Sequence, residues 1–117
     1  MKQSIAVRIV CVLPPHRLES VKTAVANLGI SGMNVMDVRG TGNSIEQPAW
    51  FKGEPHVVAL PIRSRLEVVA PIEMQKDIID TILRIAQTGQ AGDGKIFVEE
   101  VLDAVRVRTA ERGETAI

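Results

Sequence analysis

At 117 residues the chain is the size of one domain, and 45% hydrophobic with 24% charged residues is an ordinary globular balance that argues against disorder and against a coiled coil. Fourteen basic residues offset fourteen acidic ones, so no summed field draws the chain to nucleic acid or to an anionic membrane, and any anion site must be local. The three aromatic residues, Trp50, Phe51 and Phe97, with no tyrosine, are too few for a base-stacking platform.

From the N-terminus, Ile5, Val7, Ile9, Cys11 and Leu13 alternate in SIAVRIVCVL, a half-buried strand ended by Pro14 and Pro15. The lone Cys11 inside it excludes an internal disulfide and reads as an inert buried thiol. Without a charged and apolar leader pattern, or a run near the ~20 apolar residues of a membrane span, a cytoplasmic location is expected. Leu18, Val21, Val25 and Leu28 then recur at helical spacing up to Gly29. Met33 to Arg39 reads as a second strand, broken by Gly40 and Gly42.

The following polar stretch, GNSIEQPAWFKGEP, holds neither period for long, and a loop of this length in a compact domain is usually functional. His56 to Leu60 and Arg65 to Val69 read as strand, with Pro61 tolerated at an edge or bulge. Pro71 opens a second helix with an apolar stripe of Ile78, Ile79, Ile82, Leu83 and Ala86, closed by Thr88 and Gly89. The last strand runs from Lys95 to about Glu100, with an extended tail at about 101–117.

This order predicts a single α+β domain over residues 1–117, a ferredoxin-like βαββαβ antiparallel sheet with two helices on one face. Ile5, Val7, Val58 and Val68 cannot all face two helices, so a homo-oligomer is the expected cover for the other side.

In an extended tail Arg106 and Arg108 project from one face, roughly 7 Å apart, and two guanidinium forks side by side match a phosphate chain. Gly92, Asp93, Gly94 and Lys95 add close-approach backbone amides and a point charge. The same residues are equally an ordinary turn followed by a solvated edge strand, and the glycine spacing is not that of a Walker A loop.

GDGKIFV and VRVRTAERGETAI resemble the C-terminal signature of the PII signal-transduction proteins, and the likeness continues through LESVKTAVANLGISGMNVMDVRGTG and RLEVV over the whole chain. The resemblance implies a homotrimer with an adenine nucleotide in each of three clefts between neighbours, and a T-loop at about 41–60 that contacts target proteins. It implies that Gly92, Asp93, Gly94 and Lys95 wrap the phosphates, while Arg106 and Arg108 reach across the subunit boundary. Gly40 and Arg63 match further phosphate-side positions, Arg63 standing where the family usually has lysine. Asn34, Glu67 and Val69 match the adenine side, Asn34 replacing a usual threonine.

Asn43 and Ser44 stand where typical members carry arginine and glutamine, which puts sensing of 2-oxoglutarate on magnesium-bound ATP in doubt. His56 aligns with the tyrosine that some members have uridylylated, so that modification is excluded. With fewer groups on a terminal phosphate, ADP or AMP is expected ahead of ATP. These departures resemble the branches tied to inorganic carbon, with bicarbonate as effector beside Gly42, Asn43 and Ser44; a simple turn start there is the competing reading. Trp50, Phe51 and Lys52 would dock the target, a bicarbonate transporter or carboxysome-related protein, unless the aromatics fold back on their own subunit.

His16 and His56 have no cysteine or carboxylate at ligand spacing, so no intrinsic metal is expected. Glu111 and Glu114 read as counter-charges to the arginines. The first reading is a regulator and not an enzyme. A 2-oxoglutarate-responsive nitrogen regulator, a slow nucleotide phosphohydrolase using Glu67 or His56, and a pure assembly module are the alternatives.

Overall fold

The computed structural model describes residues 3–30, 32–40, 48–51, 54–58 and 60–117. Four strands form the main sheet in the order β2 (Met33–Arg39), β5 (Ile62–Ala70), β1 (Ala6–Leu13), β6 (Lys95–Val101), each antiparallel to its neighbours. Two further strands, β3 (Pro48–Phe51) and β4 (Glu54–Val58), pair as a separate antiparallel hairpin. With that hairpin set aside, the chain reads β1-α1-β2-β5-α2-β6, the ferredoxin-like order, with α1 (Leu18–Ala26) and α2 (Gln75–Ala86).

The β1 alternation follows from a strand's period of two. Val7, Ile9, Cys11 and Leu13 are at most 5% exposed and pack under the helices with Leu66, Val68 and Ala70 of β5. Val21 and Val25 of α1, and Ile78 and Ile82 of α2, close this core from above; each such side chain contributes roughly 2 kcal/mol relative to exposure. Burial pushes the Cys11 thiol up to about 11, since a thiolate there would lose its hydration, so the sulfur stays protonated and unreactive at neutral pH.

Three expectations about this core need correction. Val7 and Val68 both face the helices, whereas Ile5 lies outside β1 and donates its N–H to Val101 O at 2.9 Å; the opposite face is carried by Val10, Val12 and Phe97 among charged neighbours. Leu83 is 44% exposed, because the buried stripe of α2 runs through Ile78, Ile82 and Ala86 at steps of four, leaving position 83 at its margin. The strand read over His56 to Leu60 is instead β4, paired with β3 and not with the main sheet. Leu60 is not in a strand, and β5 starts at Ile62, just after Pro61, where a missing N–H breaks no ladder.

The tail is also not extended. Val105 bridges to Arg112, Arg106 N–H donates to Glu111 O at 2.9 Å and Ala110 N–H to Arg106 O at 2.7 Å, so residues 107–109 form a turn with Ala110 at φ 61°. A last helical turn, Gly113–Ala116, follows. Arg106 and Arg108 therefore do not share a strand face, because backbone bonds within 105–112 satisfy locally what an isolated edge strand would leave open.

Candidate site at the Gly92–Lys95 end of the sheet

Strand directions bring several candidate residues to one end of the sheet. β5 enters there at Ile62 and Arg63, β2 leaves there at Arg39 and Gly40, and β6 starts there with Lys95 opposite Val12. Gly40 N–H donates to Pro61 O at 3.2 Å, joining the two ends of residues 41–60. Arg63 Nη1 donates to Gly92 O at 2.9 Å, tying the start of β5 to the turn before β6. Gly40, Arg63, Gly92 and Lys95 thus lie at one end of the sheet, and residues 41–60 connect β2 to β5 there.

The turn itself is built by Asp93. Its carboxylate accepts from the Thr88 hydroxyl at 2.5 Å, from Thr88 N–H at 2.7 Å and from Gly89 N–H at 2.9 Å, capping the end of α2. The Thr88 hydroxyl first, then its N–H, hold the Asp93 carboxyl below its usual 3.8 by favouring the charged form. The side chain of Asp93 therefore shapes the turn, and what the turn offers to an anion is backbone and Lys95.

Gly94 fits so tightly that a Cβ on it would stand 2.1 Å from Val12 O, at φ +116°. Only glycine lets the turn approach β1 this closely. Behind the turn, His16 and Arg17 line a cavity of about 170 Å³ with Thr88, Gln90 and Asp93. Among the described residues no cluster of three His, Cys, Asp or Glu is placed to hold a metal ion.

The adenine-side candidates fall on the sheet face away from the helices. Asn34 is the register partner of Glu67, and Val69 lies two residues further on the same face of β5. Glu67 is spanned by Arg8 Nε at 3.6 Å and Arg65 Nη2 at 3.4 Å. Pairing Arg8 with Glu67 depends on the β1–β5 register, whereas Arg65 stands two residues from Glu67 on the same strand, so alternation already puts those two on one face. Alternation alone places Arg8 on that face, which is the only signal available.

Arg106 and Arg108 leave the sheet at its other end, beyond Val101, which pairs with Ala6. β6 alone separates that end from Lys95 by about 20 Å at ~3.3 Å per residue. Arg106 gives Nη1 to Glu111 Oε1 at 3.1 Å and Nη2 to Thr115 O at 3.2 Å, so Glu111 is its counter-charge as expected. Arg108 is exposed and makes no hydrogen bond or ion pair among the described residues. Gly42, Asn43, Ser44 and Lys52 lie outside the described residues; Trp50 and Phe51 belong to β3, and His56 to β4.

Over residues 6–111 the sequence matches the family described as nitrogen regulatory protein P-II. It is 37% identical over 110 residues to nitrogen regulatory protein P-II 1 of Escherichia coli K12, covering 94% of this chain and 98% of that one. Nitrogen regulatory protein P-II of Haemophilus influenzae is 39% identical over the same span. Among solved structures, Arabidopsis thaliana PII bound to citrate superposes with a TM-score of 0.76 at 36% identity, covering 98% of this chain and 94% of the other. Bacillus subtilis GlnK superposes with 0.77 at 27% identity, covering 96% and 98%.

Proposed function

Since the chain belongs to the nitrogen regulatory protein P-II family and is a regulator rather than an enzyme, we propose that it reads an adenine nucleotide and passes the result to a target protein through residues 41–60. ADP or AMP is the preferred ligand, with ATP as the weaker alternative. The protein works as a homotrimer in which Gly40, Arg63 and Gly92 to Lys95 of one protomer receive the phosphates, Asn34, Glu67 and Val69 take the adenine side, and Arg106 and Arg108 come from the neighbour.

One observation carries this reading: the Arg63 to Gly92 hydrogen bond at 2.9 Å joins the amide-rich turn to the strand on which residues 41–60 end. A phosphate seated on that turn would be felt where the target-facing segment is rooted, which is the differential contact a ligand needs in order to shift a loop. The separation of the tail arginines from the turn favours a second protomer as their source. Bicarbonate is proposed as a further effector beside Gly42, Asn43 and Ser44, and a bicarbonate transporter or carboxysome-related protein as the target. The Arabidopsis relative solved with citrate supports a small carboxylate-like anion as a ligand class, and it keeps 2-oxoglutarate in contention.

Titration calorimetry with AMP, ADP and ATP, each with and without bicarbonate or 2-oxoglutarate, tests the ligands, and sedimentation equilibrium tests the trimer. Binding of ADP or AMP at least as tight as that of ATP, by a trimeric species, is expected. Failure of all three nucleotides to bind would overturn the reading and leave an assembly module.

A further inference from the structure

We propose that Glu111 determines how the site ranks nucleotides, by placing a fixed negative charge beside Arg106 that disfavours ligands with longer phosphate chains; this rests on the nucleotide reading above. The carboxylate is held on several sides. Its Oε1 accepts from Arg106 Nη1 at 3.1 Å and from the Thr109 hydroxyl at 2.7 Å, while the Glu111 carbonyl accepts from Arg106 N–H at 2.9 Å. Moving Glu111 away from the guanidinium means breaking the turn that presents Arg106.

An arginine has five N–H donors, and the bonds to Glu111 and Thr115 use two of them, so Arg106 retains donors for an anion while its charge is already offset. Arg108 carries no such partner among the described residues. The pair together with Glu111 therefore presents a net charge of +1 where two bare arginines would present +2. An anion on the free side of Arg106 would sit roughly 7 Å from the Glu111 carboxylate, and in a water-like dielectric each unit of ligand charge at that range costs about threefold in affinity. AMP, ADP and ATP differ by one charge at each step, so the penalty grows with chain length, although the farther phosphates feel less of it.

The test is Glu111→Gln, which keeps an oxygen to accept from Arg106 and Thr109 and removes only the charge. Glu114→Gln is the control, since Glu114 is exposed, forms no ion pair among the described residues, and loses the same unit of charge. AMP, ADP and ATP are titrated in EDTA, so that magnesium does not mask ligand charge. Glu111→Gln is expected to raise the ratio of ATP to AMP affinity by about fivefold, and Glu114→Gln to change it less than twofold. A ratio within twofold of the parent in Glu111→Gln, an equal shift in both variants, or a uniform loss for all three nucleotides would overturn the inference while leaving the nucleotide reading intact. A parent protein that binds none of them removes both.

Discussion

Gly94→Ala isolates the close backbone approach of the turn to β1. The substitution has two separable costs: φ +116° is a conformation that alanine avoids, worth about 1–3 kcal/mol, and the new Cβ would stand 2.1 Å from Val12 O and 3.1 Å from Leu13 Cα. Restoring an ordinary contact of roughly 3.3 Å requires a shift of about an ångström, and the atom in the way is backbone of the central strand β1. The shift strains the Val12 to Lys95 pairing that starts β6, and each ladder bond lost costs about 1 kcal/mol more. The sum is about 3–5 kcal/mol. Two other glycines divide the terms: Gly89→Ala meets φ +84° with nothing within 4 Å, so only the backbone cost of about 1–2 kcal/mol applies, and Gly32→Ala meets neither and stays within about 1 kcal/mol of the parent. Urea unfolding followed by far-UV circular dichroism, with all four proteins at one concentration, measures the series. If Gly94→Ala and Gly89→Ala unfold at the same midpoint, the steric account of the turn is wrong.

Cys11 should resist thiol reagents at neutral pH in the native protein. Its native pKa of about 11 against 9.0 means stability is fully present below pH 9 and lost as pH rises toward 11, by roughly 2 kcal/mol, a loss that Cys11→Ala should not show in matched melts. Asp93 has the opposite sign: with its native pKa held below 3.8, its contribution is present above that value and disappears as pH falls through the native pKa. Acid titration of Asp93→Asn should show a flatter stability profile below about pH 4, and a profile parallel to the parent's would refute the capping role. Arg106→Ala and Arg108→Ala should each weaken nucleotide binding by about 1.5–3 kcal/mol without unfolding the protein, as followed by calorimetry and circular dichroism; parent-like affinity in both would remove the arginines from the site.

The regular elements were legible because their signals are periodic. β1 could be read from Val7, Ile9, Cys11 and Leu13, and α2 from isoleucines four apart, since burial on one face leaves a repeat that needs no partner to be seen. The errors fall where partners decide. Val-Arg-Val-Arg has the alternation of a strand, yet Arg106 lies in a hairpin closed by Glu111 and by Ala110 at positive φ, which alternation cannot report. Leu83 matched the helical period and still faces outward, because the width of a buried stripe depends on what packs against it. For the site, the glycines and charged residues of the turn were visible in the sequence, whereas the Arg63 to Gly92 tie and the Thr88 cap on Asp93 depend on how the end of α2 meets β5.

The bond from Gly40 N–H to Pro61 O, just past the last β2–β5 pair of Arg39 with Ile62, acts as a stitch across the base of a twenty-residue excursion. Because the sheet is already sealed at that point, chain inserted, deleted or rewritten beyond the stitch leaves the pairing register beneath it unchanged. Such a scaffold can take up changes in this segment over evolutionary time without realigning the strands that carry the core.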